Sequence, residues 1–207
     1  LDIYSNWIFK YDEPEPLHLT EAHHPEKCPV LIDLDFRYKN KGSLERIYSE
    51  SHIKIFIEIY FKVLEKYLDI PDENKETFIM EKSSPVIDTK NDKIIKDGVH
   101  IIMPRIVSNY KVLHMVRQDI IKDKEIAKLF MDLGITNPLN DIVDEAVIER
   151  NNWFMYGSKK PGKEPYLVTS IINFEEGEYQ VYKGQKDYSN FDLVRILSIN
   201  NDLEKNT

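Results

Sequence analysis

Pro29-Val-Leu-Ile-Asp33-Leu-Asp35-Phe-Arg-Tyr38 is an apolar run that delivers two carboxylates separated by one residue. Read as a β-strand, it alternates side chains between faces, so Asp33 and Asp35 project together while Leu34 points into the core. Aspartate is depleted within strands and Val30 to Ile32 reads as buried, so an exposed edge explains the pair less well. Neighbouring acids on one face repel unless a cation sits between them. Paired carboxylates are the usual oxygen ligands of Mg2+ in phosphoryl and nucleotidyl transfer, which points to a nucleotide-handling enzyme. The same tripeptide also describes the solvated end of an ordinary strand, and the rest of the chain has to choose between the two.

With 207 residues, 42% of them apolar, the chain fits one domain or two small, intimately packed lobes. No apolar run is long enough to span a bilayer, so no membrane partner is expected. The first residues, Leu1 to Trp7, lack the basic and hydrophobic regions of a signal peptide. The missing initiator methionine fits a fragment of a longer protein. One cysteine, Cys28, excludes an internal disulfide and a cysteine-rich zinc module, consistent with a reducing, intracellular setting. His23, His24 and Cys28 lack a fourth ligand and read as a solvated loop. A net charge of -8 argues against a uniformly basic nucleic-acid coat, though not against an enzyme that grips nucleic acid briefly. Acids gather at Glu13, Glu15, Asp72, Glu73 and Glu76, whereas Arg150, Lys159, Lys160 and Lys163 form a basic stretch.

Helical spacing of Ile55, Ile59, Val63 and Tyr67 predicts a helix from Ser51 to Leu68, stopped before Pro71. Thr77 to Glu81 reads as a strand, Lys82 to Asp97 as a polar loop and turn, and Val99 to Met103 as a strand closed by Pro104. Helices follow from Asn109 to Asp123 and from Lys124 to Leu133, the second ended by Gly134; Asn137-Pro138 begins a turn. Strand-like runs occur at Trp153 to Tyr156, Tyr166 to Ile172, Glu178 to Tyr182 and Leu193 to Ser198, before a polar tail from Asn200. Helices and strands without regular alternation predict an α+β class.

Two further segments carry chemistry. In Lys96-Asp-Gly-Val-His100, alternation puts Gly98 and His100 on one face, where glycine permits close backbone approach and the imidazole and Lys96 suit a triphosphate. A core histidine bonded to backbone is the plain alternative. Asp144, after a short apolar approach, completes three carboxylates with Asp33 and Asp35, or caps a helix. The loop Gly157-Ser158-Lys159-Lys160-Pro161-Gly162 offers amides, a hydroxyl and two ammonium groups to phosphate, without the spacing of a Walker loop.

In order and context these segments resemble the catalytic motifs of the archaeo-eukaryotic primase superfamily, which includes the primase-polymerases. Asp33-Leu-Asp35-Phe is similar to the paired-acid first motif, His100 to the histidine of the second, and Asp144 to the acid of the third. Asp97-Gly-Val-His-Ile-Ile-Met-Pro104 and Asn152-Trp-Phe-Met-Tyr-Gly-Ser-Lys-Lys-Pro161 resemble the primase domain of helicase-primases of large nucleocytoplasmic DNA viruses, of the asfarvirus and mimivirus type. The resemblance implies a single catalytic domain over residues 1–207, with mixed sheets flanked by helices and an RRM-like module. It implies that Asp33, Asp35 and Asp144 are catalytic and hold Mg2+ or Mn2+. Lys96, Gly98, His100, Ser158 and Lys159 would bind the nucleotide, Lys159 being favoured over Lys160 because Pro161 restricts its predecessor. It further implies nucleoside triphosphates and a single-stranded DNA template as partners, a hexameric C-terminal helicase domain in the full-length protein, and, for a viral member, action in the host cytoplasm.

The second motif often begins with Ser where this chain has Gly98, and a phosphate-binding Arg common near Phe154 is missing, leaving Lys96, Lys159 and Lys160 as substitutes. Arg37, Arg105, Lys111 and Arg117 are candidate template contacts, and Trp153 and Tyr156 candidate base-stacking platforms or core. A metal-dependent nuclease and a catalytically silent template-binding adaptor of a helicase are the competing functions.

Overall fold

The computed structural model describes residues 1–10, 18–24 and 26–200; Glu13, Glu15 and the tail from residue 201 lie outside them. In chain order the elements are α1 (Asp2–Lys10), β1 (Thr20–Glu21), β2 (Cys28–Lys39), α2 (Glu50–Leu64), a 3-10 turn (Asp72–Asn74), β3 (Thr77–Glu81), β4 (Val86–Asp88) and β5 (Asn91–Ser108). There follow α3 (Tyr110–Ile120), α4 (Lys124–Asp132), α5 (Leu139–Ile142), α6 (Ala146–Glu149), β6 (Trp153–Phe154), β7 (Leu167–Glu175), β8 (Glu178–Lys183) and α7 (Asn190–Ile196). The α+β class expected from the sequence is the one observed. Where mixed sheets were expected, every described ladder is antiparallel.

The main sheet runs β2-β5-β3-β7-β8, with β4 paired to β5. Strand β5 inserts between β2 and β3, which α2 connects, giving the split β-α-β unit of RRM-like folds. The sheet's reverse face is apolar: Phe36 packs on Phe130 of α4 at 5.4 Å, and Phe130 on Phe56 of α2 at 5.8 Å. The described core is a continuous cluster reaching from Tyr4 to Ile199.

At the open edge of β2 no full strand pairs among the described residues. Instead Leu34 bridges Val143 and Tyr38 bridges Ile135, while the Asn137 side chain accepts from Arg37 N–H and donates to the Asp35 carbonyl. The segment 135–144 thus fills the fourth position of the split unit irregularly.

Three sequence expectations are corrected. Residues 82–97, expected as a polar loop, are largely hairpin β4–β5, whose solvated face disguises it. Pro104 does not close its strand: Met103 pairs with Val30 and Val107 with Pro29, so residues 104–106 bulge, where a residue without an N–H costs no ladder bond. Leu193 to Ile196, expected as part of a strand to Ser198, belong to helix α7, begun by a capping box in which Ser189 and Asp192 exchange hydrogen bonds.

Candidate active site

Strand alternation delivers the first two acids as expected. Asp33 lies opposite His100 and Asp35 opposite Gly98 across the β2–β5 ladder, all four on the face away from Phe36. Asp144 joins them through the main chain, its N–H donating to the Asp33 carbonyl at 3.0 Å. Arg117, a candidate template contact, is instead buried at 3% exposure and donates to the carbonyls of Val143 and Asn140, at 2.9 Å each. It holds the loop that carries Asp144. The capping alternative for Asp144 is also realised, since its Oδ1 accepts from Ala146 N–H at 2.9 Å.

Asp33, Asp35, Asp144 and His100 line one cavity of about 700 Å3 together with Lys82, Lys159, Lys160, Lys163 and Arg150. Burial first, then the charges of Asp35 and Asp144, hold the Asp33 carboxyl well above the usual carboxylate range. Asp35 is raised likewise, by burial and then by Asp144. Asp33 Oδ1 is buried without a hydrogen-bond partner, and His100 Nε2 lies 3.6 Å from it. A buried, orphaned carboxylate oxygen beside two more acids is the donor chemistry of a hard divalent cation. Among the described residues, however, no three His, Cys, Asp or Glu side chains close into a ligand set. The cation therefore fits a platform of two acids, Asp33 and Asp35, with Asp144 on the adjoining loop.

His100 is stacked on Tyr166, rings 3.6 Å apart and 13° from parallel, with Trp153 at 4.8 Å. Burial, then the charges of Lys82 and Lys160, push its imidazole down to about 3, so the ring is neutral at pH 7. Gly98 is required by this packing: a Cβ there would meet the Leu34 carbonyl at 2.9 Å and the Tyr166 hydroxyl at 3.0 Å. The close approach it permits is to protein.

Other expectations shift. Lys96 pairs with Asp88 at 3.1 Å and does not line the cavity. Lys82, unremarked in the sequence, does line it, its ammonium 4.6 Å from the Tyr166 ring centre and its pKa lowered by burial and by Lys160 and Lys163. Both Lys159 and Lys160 line the cavity, but the charge that Asp33 and His100 feel is that of Lys160. Ser158 faces the cavity yet is buried and engaged, its Oγ accepting from Leu19 N–H at 2.7 Å and hydrogen-bonding the Tyr4 hydroxyl. Gly157, at φ +84°, leaves room for α1: a Cβ would meet Ile8 Cγ2 at 2.7 Å.

Tyr156 is core, its hydroxyl accepting from Val168 N–H and Gln185 Nε2. Trp153 is buried against His100. Arg105 lies 3.8 Å from Glu76, away from the cavity. His23 meets Cys28 Sγ at 3.1 Å and the Asn151 carbonyl at 2.8 Å, contacts within the protein.

Comparison with known proteins adds two findings. The family model described as the C962R protein N-terminal AEP domain matches residues 2–172. Over 171 residues the chain is 34% identical to a putative helicase, L207/L206, of Acanthamoeba polyphaga mimivirus, a match covering 82% of this chain and 17% of that protein. The chain thus spans about a sixth of that relative's length.

Proposed function

The chain belongs to the archaeo-eukaryotic primase (AEP) family, in the group of the C962R N-terminal domain, and on that premise we propose that it is a primase domain that joins nucleotides on a single-stranded DNA template. The observation that carries this reading is the polarity of one cavity. Acids Asp33, Asp35 and Asp144 stand on its β2 side, and Lys82, Lys159, Lys160 and Lys163 bring positive charge to the same space. None of these lysines has an ion-pair partner among the described residues.

In this reading Asp33 and Asp35 hold Mg2+ or Mn2+, with Asp144 as third acid. The bound cation supplies Lewis-acid charge that eases deprotonation of the attacking 3' hydroxyl and stabilises the departing pyrophosphate. Lys82 and Lys160 neutralise the triphosphate of the incoming nucleotide. His100, neutral and fixed between Tyr166 and Trp153, gives a hydrogen bond to phosphate with no rotamer to freeze on binding. Tyr166 and Trp153 shield the imidazole from water. A hexameric helicase region elsewhere in the full-length protein is the proposed partner.

The test is primer synthesis on single-stranded DNA with nucleoside triphosphates and Mg2+ or Mn2+, comparing the unaltered chain with Asp35→Asn. Synthesis that falls by about 10²-fold or more in the variant is expected. Shortened strands instead of lengthened ones would favour a nuclease, and binding without chemistry an adaptor.

A further inference from the structure

Beyond the cavity, the sheet face that carries Asp33 and Asp35 changes sign within one step of the ladder. Arg37 lies opposite Lys96, two residues on from the Asp35 and Gly98 pair, and Lys39 lies opposite Ile94 two residues further. Opposed residues of an antiparallel pair share a face. Arg37, Lys96 and Lys39 therefore continue the row that the acids begin, each step advancing about 7 Å.

Like charges placed directly opposite one another destabilise a strand pair. Here Asp88 answers both cations: it lies 3.1 Å from Lys96, and the Lys90 N–H, Lys96 and Arg37 hold its carboxyl below the usual range. More positive charge gathers at the same end. The loop after β2 is tied to the hairpin by Asn40, whose N–H donates to the Lys93 carbonyl and whose side chain donates to the Asp92 carbonyl, both at 2.8 Å. Lys39, Lys41, Lys90 and Lys93 are all exposed, and none has an ion pair among the described residues. The six cations outnumber Asp88, Asp92 and the rim residue Glu45, on a chain whose net charge is -8. On β4, Val86 lies opposite Lys96 and is 44% exposed beside them.

We propose that the end of the β2–β5 pair and the β4–β5 hairpin form a track for the sugar-phosphate backbone of the single-stranded DNA template, continuous with the catalytic face. The proposal rests on the primase reading for the identity of the strand, while the track follows from charge and register. Arg37 and Lys39 contact successive phosphates, and Val86, opposite Lys96 on the same face, offers apolar surface to sugars and bases.

The test is fluorescence anisotropy of a labelled oligo-dT over a range of NaCl concentrations. Three proteins are compared: the unaltered chain, the double variant Arg37→Gln/Lys39→Gln, and the control Lys122→Gln/Lys128→Gln, which changes net charge equally at exposed sites on and beside α4. With about 0.7 counterions released per phosphate contact on a single strand, the track double should flatten the slope of log affinity on log salt by about 1.4. Affinity at about 0.1 M salt should fall roughly 25-fold. The control should keep the slope of the unaltered chain, the charge-conserving double Arg37→Lys/Lys39→Arg should keep binding, and Lys39→Gln alone should give about half of the slope change.

An unchanged slope in the track double, or equal losses in track and control doubles, overturns the proposal. Primer synthesis is scored separately. A chain that binds through the track but makes no primer removes the primase reading and leaves the track standing. One that makes primers while the track double binds as before does the reverse.

Discussion

Two pairs of acids occupy opposite faces of the same sheet, and their treatment differs completely. On the reverse face, Asp97 is gripped by Arg46 through Nε at 2.9 Å and Nη2 at 3.2 Å, and also accepts from Gly98 N–H. Its neighbour Glu81 accepts from Arg46 Nη1 and the Tyr48 hydroxyl, both at 2.7 Å, and from Thr169. On the cavity face, Asp33 has a buried oxygen with no partner, and burial and Asp144 leave Asp35 with a raised pKa. Buried carboxylates that hold a fold together are satisfied by it. Those left wanting a cation are the ones the fold keeps available for something else.

One large effect expected from breaking this contrast is on stability. Arg46→Met leaves Asp97, whose side chain is 2% exposed, charged and unpaired. The loss should be about 3 kcal/mol in urea unfolding. On the other face Asp33→Asn should do the opposite, lowering primer synthesis by about 10²- to 10³-fold, or roughly 3–4 kcal/mol in the barrier, while raising stability.

That gain has a definite pH dependence. Asp33 has a folded pKa above its unfolded one, so between the two values the native state binds the extra proton, and stability is lost as pH rises through the folded pKa. Asp33→Asn should therefore melt about 2–4 °C higher than the unaltered chain at pH 8. The two should converge near pH 4, and Mg2+ or Mn2+ should narrow the gap at pH 8; a gap that widens on acidification would reverse the assignment.

Smaller effects separate the lysines. Lys82→Gln should raise the nucleotide KM about tenfold, in line with a charge-assisted contact of about 1.5 kcal/mol. Lys96→Gln should change it less than about twofold, because Asp88 already holds that ammonium.

Alternation alone made Asp33, Asp35 and His100 legible, because a two-residue period fixes which side chains share a face. Gly98 was legible as a close approach, though not what approached it: Tyr166 lies on a distant segment. Lys82 was hidden because its place depends on Glu81 pairing with Val99, a register between strands separated in sequence. Lys96 shares the site's face but sits beside Asp88 of β4, in a stretch whose polarity reads as loop. Leu193 to Ser198 carries strand-like residues, and its helix was announced only by Ser189 and Asp192. Arg117 looked like a surface cation because nothing local shows the carbonyls it satisfies.

The segment 135–144 has a second consequence, for solubility. Strand β2 is the sheet's outer strand, and a bare edge of that length is a template for pairing with another chain. Its cover is the bridges at Val143 and Ile135 and the Asn137 side chain, clamped from behind by Arg117. Loosening that clamp would unsettle the third acid and uncap the edge together, so damage to this loop should surface as self-association as well as lost chemistry.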